Sequence, residues 1–158
     1  MFERSDKKAR QAVKSTKIKY LRNEYFEYLS HNGEILKIFG TPYCKIFGNW
    51  AFMRDNSKLK NKYSEIPVGV DILMSHDAPT IGYTGWILDN SFSSVDNVGN
   101  PVLSEAILDK KPAWSICGHI HSGKHTPEAI GDTSFVNVSY VDERYNPTNE
   151  VFYFSYGE

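Results

Sequence analysis

Apolar and polar positions follow several rhythms along the chain, and each rhythm predicts an element. From Ser5 to Lys17 the spacing is helical: Ala9, Val13 and Thr16 recur every three or four residues, and Ser5 can cap the start. The rest of that segment is so polar that the helix must lean on another part of the molecule. From Lys19 the pattern shortens. Tyr20, Leu21, Tyr25, Phe26, Tyr28 and Leu29 are strand formers, His31-Asn32-Gly33 makes a turn, and Glu34 to Gly40 returns as a second strand. Asn-Gly between two such runs predicts a hairpin, with His31 in its turn. Thr41-Pro42-Tyr43 closes the second strand. A long aromatic loop follows through Phe47, Trp50 and Phe52, then a short polar helix over Asp55 to Glu65 and a turn at Ile66 to Gly69.

The second half is more apolar. Val70 to Ser75 predicts a strand that ends at His76-Asp77-Ala78-Pro79. Thr80 to Gly99 is rich in Gly, Ser, Asn and Asp without periodicity, and a stretch of that length is a functional loop sooner than a connection. Asn100-Pro101 opens a helix with Val102, Leu103, Ala106, Ile107 and Leu108 on its apolar face, and Lys111-Pro112 ends it. A buried strand from Trp114 then runs into Gly118-His119-Ile120-His121-Ser122-Gly123. Strands over Thr133 to Val141 and Glu150 to Tyr156 finish the chain. No repeat, linker or low-complexity tract interrupts this order, which predicts an α/β fold: a mixed β-sheet with flanking helices.

Composition narrows the class. The 158 residues suit one domain with a real core, and 41% hydrophobic with 23% charged residues is globular usage. No apolar run approaches the ~20 residues that span a bilayer, so no membrane is expected. The charged N-terminus has no signal-type apolar core. Cys44 and Cys117 are too few for a disulfide framework and sit in apolar surroundings, as buried thiols of a cytoplasmic protein would. The net charge of −1 hides an asymmetry: Arg4, Lys7, Lys8, Arg10, Lys14, Lys17, Lys19 and Arg22 lie in the first 22 positions. Such a segment suits nucleic acid or an acidic partner. We read it instead as a solvated helix face, because no aromatic-interleaved basic motif follows it.

The candidate chemistry is histidine. His76 stands at the end of one predicted strand, and His119 and His121 stand at the end of another, in a strand–helix–strand unit that makes the two neighbours. Open α/β sheets place their ligands at that carboxyl edge. Gly118 and Gly123 let the backbone leave strand geometry around the histidine pair. Imidazole is the commonest ligand for transition metals, and three of them with an open position could hold one zinc and activate water. Asp77 is an outer partner that orients His76, an outer ligand, or a solvated loop or cap residue. His125 is either a contact to substrate or a surface histidine, and the second reading is the plainer. Trp50 and Phe52 either line a cleft or pack in the core.

These stretches resemble the C-terminal half of calcineurin-like metallophosphoesterases, in the small single-domain branch. Gly118-His119-Ile120-His121 is similar to the family's Gly-His-X-His motif, and Asp71-Ile72-Leu73-Met74-Ser75-His76 to its upstream strand–His motif. Leu36 to Pro42, Phe135 to Ser139, and Asp142-Glu143-Arg144-Tyr145 with Asn146-Pro147-Thr148-Asn149 add to the match, which runs in order from about Lys19 onward. The resemblance implies the C-terminal part of a four-layer α/β/β/α sandwich. It also implies a site for two divalent transition metals (Mn, Fe, Zn or Ni), with His76 and His119 on one and His121 on the other. Hydrolysis of phosphomonoester or phosphodiester bonds by metal-activated hydroxide would follow, with nucleic acid entering only as a substrate. The family's Asp-X-His, Gly-Asp-X-X-Asp and Gly-Asn-His motifs are missing from residues 1–158, so no catalytic residue is identified here. The expectation is therefore a single partial domain that works with an N-terminal-half polypeptide or associates with itself. The alternatives are a non-catalytic remnant that binds at most one metal through the three histidines, and a weak mononuclear zinc hydrolase.

Overall fold

A computed structural model describes residues 2–86 and 96–156. The chain opens with α1 (Phe2–Val13), followed by the hairpin β1 (Glu24–Leu29) and β2 (Ile35–Thr41). Two short strands, β3 (Cys44–Lys45) and β4 (Met53–Arg54), flank the aromatic loop, and α2 (Asn56–Ser64) leads into β5 (Ile72–Ser75). Then come α3 (Pro101–Lys110), β6 (Trp114–Cys117), β7 (Glu128–Ile130) and β8 (Thr133–Asn137). The main sheet has six strands in the order β1-β2-β5-β6-β8-β7, and β3 pairs with β4 in a separate ribbon. The four central strands are mutually parallel, and the antiparallel β1 and β7 close the two edges. This is the mixed α/β sheet that the alternation of strand and helix signals predicts.

Several outcomes differ from the sequence reading. Glu150 to Tyr156 forms no strand. Its aromatic residues pack individually instead: Phe152 and Phe154 lie 5.8 and 4.6 Å from the Trp114 ring, and the Tyr156 hydroxyl donates to Asp71 Oδ1 at 2.8 Å. Alternating aromatics thus serve to cover a sheet without joining its ladder. The strand at Thr133 stops at Asn137, because Asn137 Oδ1 accepts the Ser139 N–H at 2.9 Å. The short β3, β4 and β7 carry too few residues for a periodic signal. Of the Thr80–Gly99 loop, residues 87–95 lie outside the described residues.

One face of the sheet holds the core. Phe39, Leu73 and Phe135 lie on that face and pack with Leu59 and Tyr63 of α2 and Leu103 and Ile107 of α3. Burying such side chains contributes on the order of 1.5–3 kcal/mol each. Asn100 sets the start of α3: its Oδ1 accepts the N–H groups of Val102 and Leu103, and Pro101 fills the first turn without needing a partner. Lys111 ends the helix in the left-handed region with φ 50°. On the opposite face Met74 stays 48% exposed. There α1 is tied to the hairpin by Arg10, which pairs with Glu24 at 2.6 Å and with Asp6 at 3.2 Å. The basic segment is thus a solvated helix anchored by ion pairs within its own chain.

Candidate functional site

The carboxyl ends of β5 and β6 stand side by side, so His76 and His119 meet. Their ring centroids are 4.7 Å apart with a 48° tilt between the planes. Backbone bonding fixes both ends. The His76 N–H donates to Thr41 O at 3.0 Å, which carries the β2–β5 ladder one residue further, and Val138 N–H donates to Cys117 O at 2.8 Å. Just past β6, Ile120 N–H reaches back to Gly118 O at 2.8 Å, and His119 between them has φ 70°. That is a γ-turn centred on a histidine, a conformation costing on the order of 1–3 kcal/mol. The backbone does leave strand geometry, but at His119. Gly118 has no positive φ. Gly123 matters through close approach: a Cβ there would lie 2.7 Å from Asn137 Nδ2.

Between the two histidines Ile120 turns inward and packs with Ala78 and Cys117 in a small second core. His119 and His121 face a cleft of about 380 Å³ that Lys45, Phe47, Trp50 and Tyr145 also line. Trp50 belongs to this cleft, whereas Phe52 packs edge-on against Tyr43 in the interior. Phe47 and Tyr145 are open to solvent at 72% and 74% exposure. Lys45 donates from Nζ to Gly99 O at 3.1 Å, which holds a cation at the cleft wall.

The three candidate ligands are prepared differently. His76 and His119 both titrate below the ordinary imidazole value. Partial burial is the largest cause for each, although His76 keeps an exposed edge. Mutual repulsion with the other histidines adds to it, against the opposing pull of Asp77. Both rings are accordingly neutral near pH 7 and carry a free lone pair. For His121, Nδ1 lies 3.0 Å from the carbonyl oxygen of Asp142. A carbonyl can only accept, so Nδ1 carries a proton, and in the neutral ring Nε2 is then the bare nitrogen. A fixed tautomer of this kind is what a metal-binding imidazole requires from its outer partner.

Asp77 is fully buried, and its carboxylate hydrogen bonds go to groups other than the His76 ring. Its Oδ2 accepts from Lys45 N at 2.9 Å and Asn100 Nδ2 at 2.8 Å, and its Oδ1 from Ala78 N at 3.1 Å. It joins β3, the end of β5 and the cap of α3. It is neither a solvated cap residue nor a direct orienter of the ring. His125 is half-buried, with Nδ1 3.1 Å from Asn137 O and Nε2 3.0 Å from His121 O and 3.1 Å from Asn149 Nδ2. Both ring nitrogens are engaged in bracing the loop, so the ring is an internal strut.

The fit of a divalent metal rests on the donors. Imidazoles, one of them with its Nδ1 held by a backbone carbonyl, suit a transition ion. The buried hydroxyls of Thr41, Ser122 and Ser139 lack a partner among the described residues, which fits polar surroundings completed from outside. Among the described residues, however, no group of three His, Cys, Asp or Glu converges closely enough to hold a metal. The histidines fit as part of a site. Glu143, whose Oε1 accepts Ser122 N–H at 3.2 Å, and Asp142 and Tyr145 are site neighbours that residue types alone did not single out. Asp142 with Asn146 four positions on was the available signal for a side-chain-built turn.

No family model matches the chain. It is 30% identical over 112 residues to a UPF0046 protein of Caenorhabditis elegans, covering 69% of this chain and 38% of that protein. It is 32% identical over 115 residues to metallophosphoesterase domain-containing protein 1 of Homo sapiens, covering 72% of this chain and 33% of that protein. The chain thus spans about a third of the length of the curated relatives it matches. One crystal structure superposes with a TM-score of 0.57 over 87% of this chain and 51% of its own, at 20% identity, a likeness of fold alone.

Proposed function

The chain belongs to a metallophosphoesterase-like family, and from that premise we propose that it contributes the histidine side of a site for metal-dependent hydrolysis of phosphomonoesters or phosphodiesters. The family takes divalent metals; Mn, Fe, Zn or Ni is the proposed occupant. The observation that carries the proposal is the meeting of His76 and His119 at 4.7 Å beside a cleft that His121 also lines. In this reading His76, His119 and His121 would hold the metal, which when bound would supply Lewis-acid polarisation of a phosphoryl oxygen. The cationic Lys45 adds attraction for an anionic substrate at the cleft wall. Carboxylate ligands come from a further polypeptide segment, and the exposed sheet face around Met74 is the surface that such a segment, or a second copy, would cover. Among the described residues no helix is long and apolar enough to cross a membrane. The buried free thiols of Cys44 and Cys117, pushed up to about 11 and about 12 mainly by burial, suit the proposed cytoplasmic location.

Hydrolysis of bis-p-nitrophenyl phosphate with manganese tests this, with the chain alone and with an added polypeptide carrying Asp-X-His, Gly-Asp-X-X-Asp and Gly-Asn-His motifs. Activity that depends on the added segment and is lost in His119→Ala supports the proposal; no activity in either arm refutes it. The second reading is a non-catalytic chain that binds at most one ion. It is favoured by the lack of any three converging ligands among the described residues. Metal analysis giving two ions per chain would refute it.

A further inference from the structure

The turn from Asp142 to Asn146 is built with more internal bonding than a surface loop needs. The Asp142 carboxylate accepts three hydrogen bonds: Oδ1 from Arg144 N at 2.8 Å and Asn146 N at 2.9 Å, and Oδ2 from Asn146 Nδ2 at 3.1 Å. The Asp142 N–H donates to Asn146 O at 2.9 Å, and Val141 bridges to Pro147 to close the base. Inside the turn Tyr145 takes φ 63°, although it is a bulky aromatic residue and largely exposed. Left-handed backbone at a bulky residue persists only where surrounding bonds over-determine it, and such positions cluster at functional sites.

The turn's output is directed at His121. The Asp142 carbonyl oxygen accepts from Tyr145 N at 2.9 Å and from His121 Nδ1 at 3.0 Å. The strained Tyr145 presents its ring edge-on to the same imidazole, with centroids 5.3 Å apart. Glu143, between them, accepts from Ser122 N. Three residues of the turn thus meet the two residues His121 and Ser122. We propose that the Asp142–Asn146 turn is a positioning device for His121: the Asp142 side chain folds the turn so that its own carbonyl and the Tyr145 ring hold the imidazole in one orientation, with Nε2 bare. Asp142 is a positioning residue whose carboxylate stays inside the turn. Any benefit to metal binding rests on the function proposed above; the tautomer control does not.

Two readouts on the full chain separate the two ideas. Long-range 15N–1H correlation of the histidine side chains reports the His121 tautomer without metal, and calorimetric titration with Zn²⁺ alone reports affinity. In the wild type His121 should show a single Nδ1–H form. Asp142→Ala should give a mixed tautomer and lower Zn²⁺ affinity about 10- to 100-fold, the usual cost of losing an outer partner of a ligating histidine. Asp142→Asn retains the Oδ1 acceptor and should stay near wild type in both. Tyr145→Gly accepts the positive φ, so it should keep the tautomer while losing the ring contact. An unchanged His121 tautomer in Asp142→Ala overturns the proposal, as does Asp142→Asn behaving like Asp142→Ala. Absence of Zn²⁺ binding by the wild type, with the tautomer pattern as expected, refutes the metal reading and leaves the positioning role standing.

Discussion

His119 holds a backbone conformation that non-glycine residues rarely adopt. The γ-turn gives a non-glycine residue φ 70°. Since His119→Gly and His119→Ala both remove the imidazole, comparing them isolates the backbone. The glycine variant should be the more stable by about 1–2 kcal/mol, as read from urea midpoints. The histidines also set a pH dependence. His76 and His119 have folded-state values below the 6.5 of the free side chain, so the unfolded chain binds more protons as pH falls through that value. Stability is therefore fully present above about 6.5 and declines as pH drops toward the lower folded-state values. Denaturant midpoints of the metal-free chain at pH 7.5 and 5.5 should show this decline, and His76→Gln/His119→Gln should flatten it.

At the scale of elements, α3 is the strut that connects the core to the site. Asn100 serves it twice: Oδ1 caps the helix, and Nδ2 donates to Asp77 Oδ2 at 2.8 Å and approaches the Tyr63 hydroxyl at 3.3 Å. Asn100→Ala should cost about 1 kcal/mol for the cap and a further 1–3 kcal/mol for the buried carboxylate that loses a donor. Asn100→Asp keeps a good capping side chain and yet sets two carboxylates in contact. It should destabilise more than the alanine variant, and thermal melts at neutral and acidic pH should show the excess shrinking as one carboxyl protonates. A result in which aspartate is the milder change would mean that the Asp77–Asn100 bond contributes little.

At the scale of the molecule, the sheet is packed on one face and only partly covered on the other. The C-terminal aromatics cover part of that second face, and Met74 stays 48% exposed. A sheet with such a face should associate, with itself or with the proposed polypeptide segment. Sedimentation at rising concentration should show self-association of the wild type. Met74→Asp should reduce it with little change in unfolding midpoint, because the side chain is already half in water. A clean monomer at high concentration would refute the self-association.

Sequence by itself determined the sheet-and-helix order, because strand and helix periods are local properties: β1 with β2, α2, β5, α3 and β6 are all legible from apolar spacing, capping residues and turn chemistry. It also marked His76, His119 and His121, since histidines at strand ends are conspicuous by type. The tertiary structure decided what these residues do to one another. The strand–helix–strand order already made β5 and β6 neighbours, and their parallel pairing sets the 4.7 Å approach of the His76 and His119 rings, which no local period encodes. Asp77 and His125 read from sequence as site or surface residues; in the fold Asp77 is buried and bonded to Lys45, Ala78 and Asn100, and His125 is half-buried with its ring nitrogens beside Asn137, His121 and Asn149. The tail from Glu150 alternates like a strand but joins no ladder, and its Phe152 and Phe154 pack on Trp114 instead. Side-chain type is written in the sequence, whereas contact between distant side chains depends on which strands pair, and that is settled only when the whole sheet forms.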